Sequence, residues 1–211
     1  MESQDTLKKL ERDALGEIAN VGAGNAATAV SQLIGATLTV SVPRVSLIKV
    51  ESLPEPLGGP ETVVAGIYFR IFGEAPGKML LCLPMKSVDA LLELMLGSPA
   101  TPGRALNEIQ QSAVKELGNI LCSAYLNALA RFMDMQLLPS VPALAVDMVS
   151  SILSTVMVET AQAQTQALLI ETEFSNQKKP LAIHLFLVPE PGSLDAMLQA
   201  LRSSTGINPS A

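Results

Sequence analysis

Two rhythms of apolar residues run along the chain. Leu7, Leu10, Ala14, Ile18, Val21 and Gly22 recur at helical spacing and predict a first helix from Thr6 to Ile34, with Asp5 or Thr6 as its cap and Gly35 as its C-cap. Shorter β-rich runs follow at Leu38–Val42, Val45–Val50, Val63–Phe72 and Lys78–Leu83. Pro54, Pro56, Gly58, Gly59 and Pro60 read as a loop, and Gly73–Gly77 as a turn. Lys86–Leu96 is a short amphipathic helix, and Gly97–Arg104 is a second cluster of chain breakers. A long helix is expected from Asn107 to Asp134, where Asn107 has the chemistry of an N-cap and Glu108 suits the first turn. Gln136–Leu138 reads as a strand, whereas Ala145–Val158 fits either helix or strand. Thr165–Glu173 and Leu181–Val188 are strands, Ser193–Arg202 is a closing helix, and Ser203–Ala211 a frayed end.

This order repeats. Asp13, Glu17, Asn20 and Pro43 correspond to Ser112, Glu116, Asn119 and Pro142, each pair 99 residues apart. Late in each half, Ser87–Leu92 echoes Ser193–Leu198 at an offset of 106, so loop insertions separate the two ends. A duplicated α-β-β-α unit accounts for these matches. The fold class expected is α/β, in the α+β sense of a sheet covered by helices. Two internally related halves, 6–97 and 105–202, share a continuous β-sheet in one pseudo-twofold domain spanning 1–211.

Composition narrows the function. The chain of 211 residues is 48% apolar and 16% charged, which suits a sizeable core and excludes a disordered chain. With five Phe, two Tyr and no Trp there is no stacking platform for single-stranded nucleic acid. A net charge of −6, with no Lys/Arg cluster, also argues against phosphate backbones and anionic membranes. Cys82 and Cys122 lack CxxC spacing and read as buried free thiols, and no set of soft ligands for structural zinc can be assembled. His184, in the apolar run Leu181–Val188, reads as a packed or edge-strand histidine. The uncharged stretch Ile18–Pro43 is interrupted by Asn, Thr, Ser, Gln and Gly and falls short of a membrane span. MESQDTLKKLERDAL contains no apolar h-region, so a cytoplasmic location is expected.

The candidate chemistry lies in the repeated pattern [Asp/Ser]-x3-Glu-x2-Asn. Spacings of four and seven return to one helix face, so Asp13, Glu17 and Asn20, and again Ser112, Glu116 and Asn119, form polar stripes roughly 10 Å long. A solvated helix face is the plain alternative. Mid-helix Asn is costly when buried without partners, whereas its amide can hold a water, and Glu can pair with a partner's Lys or Arg. One Glu and one Asn are too few ligands for a magnesium or calcium cage. The glycines of Val21–Asn25 lack the GxxxxGK[ST] pattern and lie within the helix, so Gly22 and Gly24 are expected to permit close helix packing.

ERDALGEIANVGAGNAATAVSQL at 11–33 and SAVKELGNILCSAYLNALA at 112–130 resemble the two signature helices of the CheC branch of the CheC–CheX–FliY phosphatases of bacterial chemotaxis. That family places a proline 23 positions after each Asn, as Pro43 and Pro142 stand here. The resemblance covers roughly residues 8–201. It implies hydrolysis of the aspartyl phosphate on the response regulator CheY. Glu17 and Glu116 would engage a regulator lysine, while Asn20 and Asn119 orient the attacking water. Asp13 and Ser112 are the two residue types allowed at their position. The resemblance implies no cofactor on this chain, with Mg²⁺ carried by phosphorylated CheY, and implies the receptor deamidase CheD as a second partner. The alternative is a non-catalytic interaction protein of the chemotaxis or flagellar switch pathway, akin to the middle domain of FliM. No CheY-binding extension or C-terminal switch domain is legible, which favours a CheC-like over a FliY-like architecture.

Overall fold

The computed structural model describes residues 9–101, 105–157, 166–176 and 179–205. Helix α1 (Lys9–Ile34) leads into β1 (Thr39–Val40) and β2 (Arg44–Lys49). Two 3₁₀ turns, Val50–Ser52 and Glu55–Leu57, fill the Pro/Gly loop before the hairpin β3 (Val63–Gly73) and β4 (Gly77–Pro84), and α2 (Met85–Leu96) follows. The second half runs α3 (Glu108–Met133), β5 (Leu137–Pro139), β6 (Ala143–Met148), α4 (Val149–Met157), β7 (Gln166–Asn176), β8 (Lys179–Pro189) and α5 (Ser193–Thr205).

Among the described residues eight strands join one antiparallel sheet in the order β1-β7-β8-β4-β3-β5, with β2 also on β7 and β6 also on β3. The two halves meet at the centre, where β4 pairs with β8. Each half also lends its two short strands to the other: β1 and β2 complete the edge beside β7, and β5 and β6 complete the edge beside β3. Exchanging the halves leaves this order unchanged. Each half therefore supplies four strands rather than the two of an α-β-β-α unit.

The lent edges share a second device. Between β1 and β2, three residues, Ser41–Pro43, face two on β7; between β5 and β6, Ser140–Pro142 face two on β3. Ser41 N donates to Glu173 O at 2.9 Å and Ser41 Oγ accepts from Glu173 N at 3.1 Å. Ser140 repeats both bonds with Arg70, at 2.8 and 3.0 Å. Both bulges read Ser-Val-Pro. Proline has no N–H to give to a ladder and is tolerated at bulges, which is the structural place of Pro43 and Pro142. The bulge also limits the predicted strand Leu38–Val42 to the two ladder residues of β1.

The sheet is covered on both faces, which is why its central strands read as nearly continuous apolar runs. Met79, Leu81 and Leu83 of β4, with Ile183, Leu185 and Leu187 of β8, point to a core shared with α1, α2, α3 and α5. The alternate residues Leu80, Cys82, Phe186 and Val188 point to a smaller core capped by Val50, Leu53, Leu57 and α4. The ambiguous stretch 145–158 resolves as the end of β6 followed by α4. The apolar α4 caps the second core, and Gly66 of β3 leaves room for Ile152.

Three sequence expectations need correction or sharpening. Leu10 and Val21 carry the apolar rhythm but face solvent; Leu15, Ile18, Ala19, Ala23, Ala26 and Val30 form the buried face of α1. Because α1 is apolar on most sides between Ile18 and Ile34, periodicity does not fix which stripe turns inward. Gly22 does serve close packing, whereas Gly24 is exposed with open space around it. His184 stands on the interior strand β8, between Cys82 of β4 and Glu171 of β7, and so is packed rather than at an edge. The predicted caps Asp5 and Thr6 and the end of the chain from 206 lie outside the described residues.

Candidate functional site

The start of α3 is fixed by its sequence. Asn107 Oδ1 accepts from Gln110 N at 2.9 Å, and Gln110 Oε1 accepts from Asn107 N at 3.0 Å, a reciprocal capping box. The helix then turns Ala113, Val114, Leu117, Gly118 and Leu121 into the core. That rotation leaves Ser112 and Glu116 exposed and Asn119 half-buried. In α1, the burial of Glu11, Leu15, Ile18 and Ala19 leaves Asp13, Glu17 and Asn20 exposed. The six residues thus form two stripes on two helices that pack against each other on one face of the sheet.

A glycine near each Asn brings its helix close to a neighbouring element. A Cβ on Gly22 would lie 2.7 Å from Tyr125 Cδ1, so α1 meets α3 where only glycine fits. A Cβ on Gly118 would lie 2.8 Å from Ile67 Cδ1, so α3 approaches β3 just before Asn119. Tyr125 is held in turn by a 2.7 Å hydrogen bond between its hydroxyl and Thr172 Oγ1 on β7. Burial raises its phenol to about 12, against a lowering by that bond. Pro43 and Pro142 sit at the two sheet bulges, away from the polar stripes in sequence and in element.

The chemistry available is that of an exposed helix surface. The first stripe offers the carboxylates of Asp13 and Glu17 and the second that of Glu116, all acceptors, and each stripe adds one carboxamide that both donates and accepts. Among the described residues no group of three or more His, Cys, Asp or Glu side chains is placed to hold a metal ion, and no helix is long and apolar enough to cross a membrane. Cys82 and Cys122 are buried free thiols whose ionisation burial pushes up to about 12, so neither is a nucleophile at neutral pH. His184 is held below its ordinary value by burial, partly offset by Glu171 3.5 Å away.

The profile of the CheC-like family matches twice, at residues 10–47 and 109–146. Each match spans one stripe and the bulge after it. Over 202 residues the chain is 32% identical to a Bacillus subtilis protein named CheY-P phosphatase CheC, covering 94% of this chain and 97% of that one. The chain belongs to the CheC-like family. Its fold is shared more widely. Thermotoga maritima FliY superposes with a TM-score of 0.73 at 21% identity, over 94% of this chain and 98% of that one. FliM in its complex with SpeE from H. pylori superposes at 0.74 with 10% identity, over 96% and 100%. The fold alone therefore does not separate a CheC-like chain from a FliM-like one.

Two features of the CheC-like chain were not singled out by sequence reasoning. One is the repeated Ser-Val-Pro, visible as two identical tripeptides 99 residues apart. The other is the buried Glu11, joined to Arg202 of α5. Its sequence signal was only a carboxylate in the first turn of a helix, which resembles any solvated N-terminal residue.

Proposed function

We propose that this chain hydrolyses the aspartyl phosphate of a CheY-type response regulator, using each stripe as a site that the regulator completes. The observation that carries the reading is the repeat of the Glu/Asn pair on adjacent helices of a CheC-like chain, with Glu17, Asn20 and Glu116 exposed and Asn119 half-buried. Glu17 and Glu116 pair with a lysine of the regulator and set its position. Asn20 and Asn119 reach the phosphoryl group and hold a water in line with it. An amide is a poor base at neutral pH, so Asn works by orientation and hydrogen bonding. The water oxygen bonds to phosphorus as the bond from phosphorus to the aspartyl oxygen breaks. The products are inorganic phosphate and a free carboxylate, and the water's proton passes to solvent.

Phosphoryl transfer draws on a cation near the transferred oxygens, and one Glu with one Asn cannot cage it. The Mg²⁺ therefore comes with the regulator, and this chain needs no cofactor. Small phosphomonoesters lack the protein surface that aligns the amide and are poor substrates in this reading. Kinship to CheC also supports CheD as a second partner, two related halves within one domain, and work in the cytoplasm.

A folding-controlled phosphatase assay tests the proposal. Asn20→Ala and Asn119→Ala should each keep part of the phosphate release from phosphorylated CheY, and the double variant should lose nearly all of it while its circular dichroism is unchanged. Full activity in the folded double variant would overturn the assignment. The FliM-like alternative, binding without hydrolysis, predicts no release by the wild-type chain.

A further inference from the structure

We propose that Leu10 and Ile109 are apolar anchors that seat the phosphorylated regulator on the two stripes, an inference that rests on the function proposed above. Leu10 leads Asp13 by three residues and Ile109 leads Ser112 by three. Positions i, i+3, i+7 and i+10 share one helix face, so each stripe begins with a large aliphatic side chain. These two are 55% and 67% exposed. Single exposed leucines are ordinary on any surface. Here the exposure falls at the same lead, on the same face, of both helices that carry the Glu/Asn pairs. At the far end of the first stripe, Val21 is also exposed beside Asn20.

The geometry specifies the occupant. With a rise of about 1.5 Å per residue, each anchor lies roughly 10 Å from its Glu and roughly 15 Å from its Asn along the axis. A partner using all three points must be a folded domain with an apolar depression about 10 Å from the lysine that meets Glu. The regulator already engaged by the stripe is continuous with this position, whereas a small phosphoester spans none of the distance. A charge contact alone leaves the partner free to slide along the helix. An apolar contact two turns away holds the docked partner against that sliding and lengthens its stay on the stripe. Such an anchor binds ground and transition states alike and so acts on KM rather than kcat.

Steady-state hydrolysis of the phosphorylated CheY-type regulator from the same genome tests this in single-site backgrounds. Leu10→Ala in the Asn119→Ala chain, and Ile109→Ala in the Asn20→Ala chain, should each raise KM by about five- to tenfold with little change in kcat, the effect of withdrawing part of an aliphatic side chain from a dry contact. Crossed pairings should give the smaller shift, and Leu10→Met should recover most of the loss. Unchanged KM in both backgrounds, with the parents active, would overturn the anchors and leave the catalytic reading standing. So would equal shifts in matched and crossed pairings, which mark a general structural effect. A wild-type chain that neither hydrolyses nor binds the phosphorylated regulator would overturn both proposals together.

Discussion

Arg202 on α5 directs Nε and Nη2 to a single oxygen of Glu11 on α1, each at 2.6 Å, and Glu11 is wholly enclosed. The pair fastens the last helix to the first turn of α1, two residues before Asp13. The equivalent position in α3 is Gln110, which closes the capping box with Asn107. The two halves thus hold their stripe-bearing helices at the N-terminus by different means.

Removing the cation leaves a carboxylate in the interior. Loss of one partner from a fully buried pair costs about 3–5 kcal/mol, and the partial exposure of Arg202 reduces that to about 2–3 kcal/mol for Arg202→Leu. Thermal and urea unfolding should both show it, and the first stripe should lose more activity than the second. An unchanged melting temperature would mean that the pair holds nothing in place.

The glycines of α1 should separate cleanly. Gly22→Ala forces a methyl against Tyr125, a collision worth about 1–3 kcal/mol of destabilisation. Gly24→Ala meets open space in a helix interior, where alanine is favoured by roughly 0.5–1 kcal/mol. Denaturant midpoints of the two variants should therefore move in opposite directions.

Glu and Asn should fail differently. Glu17→Gln with Glu116→Gln removes a charged contact, which at a partly buried interface costs about 2–5 kcal/mol, and should raise KM more than Asn20→Ala with Asn119→Ala does. The Asn pair should lower kcat. If both double variants lose only kcat to the same extent, the division of roles is wrong.

His184 gives stability a pH dependence. Its folded value is lowered, first by burial and against the pull of Glu171, so the unfolded chain binds the proton more readily. The stability it contributes is present above the ordinary value near 6.5 and is lost as pH falls from there toward the folded value. As the chain's single histidine, it can be tested by His184→Gln. The variant should flatten the unfolding free energy just below pH 6.5, before carboxylates dominate. A wild-type chain that gains stability on acidification through that range would contradict the burial argument.

Local chemistry was legible in the sequence and distant pairing was not. Asn107 announces the start of α3 because its capping bonds reach only to Gln110. The turn Gly73–Gly77 and the Pro/Gly loop are marked by residues that break elements on their own account. The six stripe residues were also fixed by spacing, because a helix face needs no tertiary information. By contrast, the partners of β1 and β2 lie in the other half, and no local pattern names β7. Glu11 looks solvated until α5 supplies Arg202, and Leu10 looks internal until Leu15 and Ile18 claim the core.

The lending of edge strands between halves bears on how the protein is made. Arg44 pairs with Glu171, 127 positions further along. At roughly 5–20 residues per second, a ribosome leaves β2 without its partner for on the order of ten seconds. For a shorter part of that interval the outer edge of β3 waits for β5 and β6. A nascent first half therefore emerges with two open edges and an unfinished core. Neither stripe is set in its final frame until the last third of the chain has been synthesised.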